Sequence, residues 1–174
     1  MGIAAVLLLI SCTSASVSDT SSTTALQDGI YTSPDGWTID VPPGWHVTPF
    51  EASKGSASAR GAQVSNIELP SPSLVPGFPI QTNGDDLAAD GLAIIIAIDD
   101  DPSDVQQPPQ SPPAPPLSLG DFIHGSAPAG SATLDLMWFT GNGRTFLATI
   151  KTGPNVSASD RTALESAVSS LRFS

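Results

Sequence analysis

The sequence predicts a single α+β domain built around an antiparallel sheet, and three observations carry that reading. From Gly29 onward, short apolar and β-branched runs are broken by Pro and Gly, the texture of antiparallel strands and their turns. Residues 157–171 instead repeat with a helical period. Hydrophobic residues make up 40% of the 174 and charged ones 13%, which is enough apolar surface for one core and about one domain.

The elements follow in order. Trp37-Thr38-Ile39-Asp40-Val41 alternates strictly, placing Trp37, Ile39 and Val41 on one face. Pro42-Pro43-Gly44 turns the chain, and Trp45-His46-Val47-Thr48-Pro49-Phe50 runs back, so a hairpin is expected here. Residues 63–69 form a weaker strand candidate. The unbroken run Leu92-Ala93-Ile94-Ile95-Ile96-Ala97-Ile98 is expected of a central strand covered on both faces. Residues 133–140 and 145–151 flank Gly141-Asn142-Gly143-Arg144, whose Asn-Gly core is a strong hairpin signal. A short helix is expected over residues 117–124. The final helix is capped by Ser157 with Asp160 at the third position, and Leu164, Ala167, Val168 and Leu171 form its apolar stripe. Trp37, Trp45, Trp138, Phe139 and Phe146 all fall on expected strands and read as core. Adjacent Trp138 and Phe139 must then point to opposite faces.

Two proline-rich stretches are expected outside the core. Residues 70–79 hold Pro70, Pro72, Pro76 and Pro79, and residues 102–116 hold Pro102, Pro108, Pro109, Pro112, Pro113, Pro115 and Pro116. That density opposes both helix and ladder, so the second stretch reads as an extended, solvated surface loop.

The chain opens on Met1-Gly2-Ile3-Ala4-Ala5-Val6-Leu7-Leu8-Leu9-Ile10, an apolar run about half the roughly 20 residues that a transmembrane helix needs. It matches the apolar core of a secretory signal, and it leads into Leu9-Ile10-Ser11-Cys12, where a small residue precedes the chain's single cysteine. This tetrapeptide resembles a bacterial lipobox. The resemblance implies cleavage after residue 11, diacylglyceryl transfer to the Cys12 thiol and acylation of the new amino terminus, with palmitate-type chains anchoring the protein. Two or more long chains give stable membrane attachment where one gives only marginal binding. No Lys or Arg precedes Cys12, so the start codon is expected upstream or the chain begins within the signal. Residues 13–28 are rich in Ser, Thr and Ala and cannot bury enough surface to order themselves. They read as a flexible tether of about 20 to 25 Å root-mean-square span. The expected organisation is therefore a lipoprotein signal peptide over 1–11, the lipidated Cys12 and tether over 12–28, and a folded domain over 29–174.

Gly36-Trp37-Thr38-Ile39-Asp40-Val41-Pro42-Pro43-Gly44-Trp45 resembles the opening hairpin of PsbP-like domains, and Ala163-Leu164-Glu165-Ser166-Ala167-Val168-Ser169-Ser170-Leu171-Arg172-Phe173 is similar to their final helix and short Leu-Arg-Phe strand. Together with the lipobox and tether, this is most similar to secreted lipoproteins of mycobacteria and related actinobacteria. The resemblance implies an α/β/α sandwich with a central antiparallel sheet, attached to the extracytoplasmic side of the cell membrane. It implies a non-catalytic binding or scaffolding module without a cofactor. The partner would be an envelope protein or a hydrophobic small molecule, received in a pocket formed where sheet and helix part.

Chemistry is otherwise sparse. Six basic residues against seventeen acidic ones, a net charge of -11, exclude a phosphate-neutralising patch and with it nucleic-acid binding. The serine-hydrolase elbow G-x-S-x-G, phosphate loops and cysteine metal motifs do not occur. His124 follows Asp121 closely enough for an oriented general base, or could meet His46 at a metal, but it reads more simply as the end of a short helix. His46 reads as a solvent-facing strand residue. Asp85, Asp86, Asp90, Asp99, Asp100, Asp101, Asp104 and Asp121 form an acidic stretch that invites a calcium hypothesis but reproduces no EF-hand loop, and it reads as a solvated edge.

Overall fold

The structure is a computed structural model that describes residues 26–54, 57–75, 78–81, 87–99, 110–125 and 131–174. The signal peptide, Cys12 and the tether up to residue 25 lie outside the described residues.

Twelve strands and one α-helix account for the regular structure of those residues: β1 (Leu26–Gln27), β2 (Ile30–Thr32), β3 (Trp37–Asp40), β4 (His46–Lys54), β5 (Ala57–Ser65), β6 (Ser73–Val75), β7 (Phe78–Gln81), β8 (Leu92–Asp99), β9 (Ile123–His124), β10 (Thr133–Gly141), β11 (Arg144–Thr152), α1 (Ala158–Ser170) and β12 (Arg172–Phe173). Six strands in the order β4-β5-β8-β11-β10-β9 make one fully antiparallel sheet. A smaller sheet runs β1-β2-β3-β12, and β6 pairs with β7.

The expected α/β/α sandwich is not what forms. Among the described residues the chain is mostly strand, with a single α-helix, and that helix shares one layer with the small sheet instead of forming helical layers on both faces. The physical reason lies in β3. Its alternating pattern was expected to fold back on the segment after Pro42-Pro43-Gly44, but β3 pairs with β2 and β12 while β4 joins the large sheet. The Pro-Pro-Gly turn, closed by the Trp45 N–H donating to the Pro42 carbonyl at 3.1 Å, therefore passes the chain from one sheet to the other. It does not make a hairpin.

Other expectations hold. β8 runs between β5 and β11, with Leu92, Ile94, Ile96 and Ile98 turned into the main core and Ile95 and Ala97 buried on the opposite face with Phe50 and Ala59. Burial on both faces is why the run carries no polar residue. β10 and β11 form the expected hairpin, closed by Asn142 at φ +49° and Gly143 at φ +72°, the positive pair of a type I′ turn. Asp28 and Gly29, at φ +53° and +76°, turn β1 into β2 in the same way, so β1 falls on the last residues of the expected tether. Phe139 enters the core and Trp138 takes the other face. α1 is capped as expected, the Asp160 N–H donating to Ser157 Oγ at 3.0 Å, and it buries Leu164, Ala167 and Val168 against Tyr31, Trp37 and Ile39 of the small sheet and the isoleucines of β8.

The proline-rich segments are drawn closer to the fold than their composition suggests. β6, inside residues 70–79, pairs with β7, which begins there and runs on to Gln81, and Gln63 donates to the Pro70 carbonyl at 3.4 Å. Residues 102–109 lie outside the described residues, but Thr140 on the edge of β10 donates its N–H to the Pro113 carbonyl at 2.8 Å.

One end of the two layers is tied by a carboxylate. Asp35, in the β2–β3 turn, has a side chain only 6% exposed and accepts from Arg60 of β5 at 2.9 Å and from Arg144 of the β10–β11 turn at 3.0 Å. Beside it, Phe173 lies against Phe139 and Phe146 and covers Gly141, where a Cβ would run into its ring. Replacing Asp35→Ala removes the buried carboxylate shared by two partly exposed arginines, and we expect a loss of about 1–2 kcal/mol, between the values of exposed and fully buried pairs. Urea denaturation at low and high salt checks this, with the smaller difference expected at high salt.

Candidate functional site

The hydrogen bonds that place α1 also place the site. The Gly153 N–H donates to the Gly91 carbonyl at 2.8 Å and the Asn155 N–H to the Ala89 carbonyl at 2.7 Å, so the chain entering the helix is fixed beside the start of β8. The first turns of α1 therefore overhang Leu92. On the far side the chain arrives from the proline-rich segment with Leu117 and Phe122 both buried in the main core. This stretch was expected to be a short helix. It is a single 3₁₀ turn over Leu119–Asp121 followed by β9, because β9 pairs across the sheet with Asp135 and Leu136 of β10.

Between these two walls lies a cleft of about 150 Å³ lined by Leu92, Leu119, Phe122, Ile150 and Leu164, with His124, Asp135, Thr152 and Arg161 among its polar lining. Its floor is the core face of β8 and β11, and its roof is the N-terminal half of α1. An apolar floor with a few convergent polar groups is the form of a small-molecule site.

The structure separates the residues that the sequence offered for catalysis. His124 is on β9, not at a helix end, and its Nδ1 lies 3.0 Å from Asp135 Oδ1. Among the described residues the Asp135 carboxylate is the partner given for Nδ1, and a carboxylate can only accept there, so the contact is made by an Nδ1–H. Asp121 is turned away, accepting from the Ser118 N–H at 2.7 Å and Ser118 Oγ at 2.9 Å. The Asp121–His124 arrangement expected for a general base is therefore absent. His46 is exposed on β4, as expected, and pairs with Ser65. β4 and β9 are opposite edges of the six-stranded sheet, roughly 24 Å apart at the usual strand spacing, and the two rings point to opposite faces. They cannot share a metal. Of the acidic stretch, Asp85, Asp86, Asp100, Asp101 and Asp104 lie outside the described residues, Asp90 is exposed in a turn, and no metal-ligating cluster occurs among the described residues.

No family model, curated protein or solved structure matches this chain.

Two residues of the cleft escaped the sequence reading. Asp135 becomes the partner of His124 only through a two-residue strand pairing, for which sequence carries no signal. Arg161 did leave one. It stands three residues before Leu164 and extends the stripe Leu164, Val168, Leu171 by one step, on the same side of the helix but exposed at its first turn. Phe122 packs the cleft from below, so Phe122→Ala is expected to destabilise the fold by about 3 kcal/mol while enlarging the cavity. Chemical denaturation and xenon-induced shifts in the methyl spectrum check both effects.

Proposed function

We propose that this chain is a lipid-anchored, non-catalytic binding protein of the bacterial envelope, similar to mycobacterial-type lipoproteins, tethered through Cys12 and receiving a small apolar ligand in the cleft between α1 and the sheet. The observation that carries the binding half of the reading is the cleft itself. A chain with only one α-helix among its described residues still leaves an open apolar space of about 150 Å³ beneath that helix, bordered by the His124–Asp135 pair. That volume matches a cavity able to hold benzene or xenon. The anchoring half is supported by Leu9-Ile10-Ser11-Cys12 and the Ser/Thr-rich segment after it. No helix among the described residues is long and apolar enough to cross a membrane.

Two measurements test the halves separately. Expressed in an actinobacterial host, the wild type is expected in the membrane fraction with a mass matching cleavage before Cys12 plus acyl chains. Cys12→Ala is expected to lose both, and an unmodified soluble wild type would overturn the anchor. For the cleft, benzene is expected to shift the methyl resonances of Leu92, Ile150 and Leu164, and Leu119→Trp, which fills the space from its rim, is expected to abolish those shifts with the fold intact. Equal shifts in the two proteins would show that benzene binds elsewhere.

A further inference from the structure

Arginine has little difficulty finding a carboxylate in a chain with seventeen acidic and six basic residues. Three of its four arginines do so: Arg60 and Arg144 on Asp35, and Arg172 on Asp40 at 3.3 Å. The fourth, Arg161, forms no ion pair with any described residue, although Asp135 borders the same cleft. Asp135 is engaged instead by His124. Arg161 thus brings a planar fork of donors, exposed and paired with no described side chain, to the mouth of an apolar space, on the helix wall, with the one carboxylate of the cleft's lining held on the strand wall.

From this geometry, and resting on the cleft being a ligand site, we infer that it selects small amphiphilic monocarboxylates whose apolar body lies on Leu92, Phe122, Ile150 and Leu164 and whose carboxylate is taken by Arg161. The guanidinium matches a carboxylate in two parallel hydrogen bonds, which an ammonium cannot do. The Asp135 carboxylate disfavours an anion on the opposite wall, so it orients the ligand with its charge toward α1. The size of the cavity restricts the body to about one aromatic ring or a short branched chain.

The test compares phenylacetate with its neutral isostere phenylacetamide, titrated into the full chain and followed by the Leu92 and Ile150 methyl resonances. The wild type is expected to bind phenylacetate about tenfold or more tightly than phenylacetamide, the size of effect a charge-assisted hydrogen bond gives at a partly exposed site. In Arg161→Gln, a helix-compatible change at an exposed position, the ratio of the two affinities is expected to fall toward one, and Arg161→Lys should recover only part of it. Equal affinities in the wild type, or an unchanged ratio in Arg161→Gln, would overturn the inference. If benzene and phenylacetamide bind while phenylacetate does not, the ligand class is wrong but the cleft stands. If none of the three binds, the cleft reading fails and the inference falls with it.

Discussion

A six-stranded sheet must have its apolar face covered, and this chain gives only one α-helix to the task among its described residues. At strand spacing the sheet is roughly 24 Å wide, whereas a helix with its side chains covers about 10 Å. The remainder is supplied by the small sheet, with Trp37 and Ile39 of β3 and Tyr31 of β2 lying where a second helix would otherwise pack. This shared cover decides much else. It draws β3 away from β4 and makes the Asp35 link between layers necessary at one end. At the other end, where the short segment through Phe122 has to meet the start of α1, closure is incomplete and the cleft remains.

How much of this could be read in advance depended on the range of the interactions. β8, the β10–β11 hairpin and α1 were legible because each is written locally: seven consecutive apolar residues, an Asn-Gly pair between alternating runs, and Ser157 three residues before Asp160. Asp28-Gly29 carried an equally local hairpin signal, masked by the Ser/Thr-rich composition on its N-terminal side. β3 was legible as a strand but not as a member of the small sheet, because its second partner, β12, is separated from it by most of the chain. Sheet membership is a long-range property, and alternation records only which side of a strand is apolar.

The cleft follows the same division. Part of its apolar lining comes from positions whose burial the pattern foretold, among them Leu92 and Leu164. Its polar lining does not. His124 and Asp135 meet because β9 pairs with β10 for two residues, and neither the helical reading of 117–124 nor the proximity of Asp121 pointed there. Arg161 stood three residues before Leu164 on the helix stripe, but an exposed charge at a helix start is no motif, and the sequence reading passed over it.

The pairing of β12 with β3 bears on how the molecule acquires its fold. Arg172 lies opposite Thr38 and Phe173 opposite Trp37, while the Ser174 N–H donates to the Gly36 carbonyl at 3.0 Å. The large sheet can assemble from neighbouring hairpins, but the small sheet gains its outer strand only after α1 has been laid down and the chain has returned across it. Pairings of such separation incur their loop-closure entropy before any contact rewards it, so they form late and slowly. The layer that covers the core is thus completed by β12, and until it docks the rings of Phe139 and Phe146 on the large sheet lack the Phe173 ring that covers them.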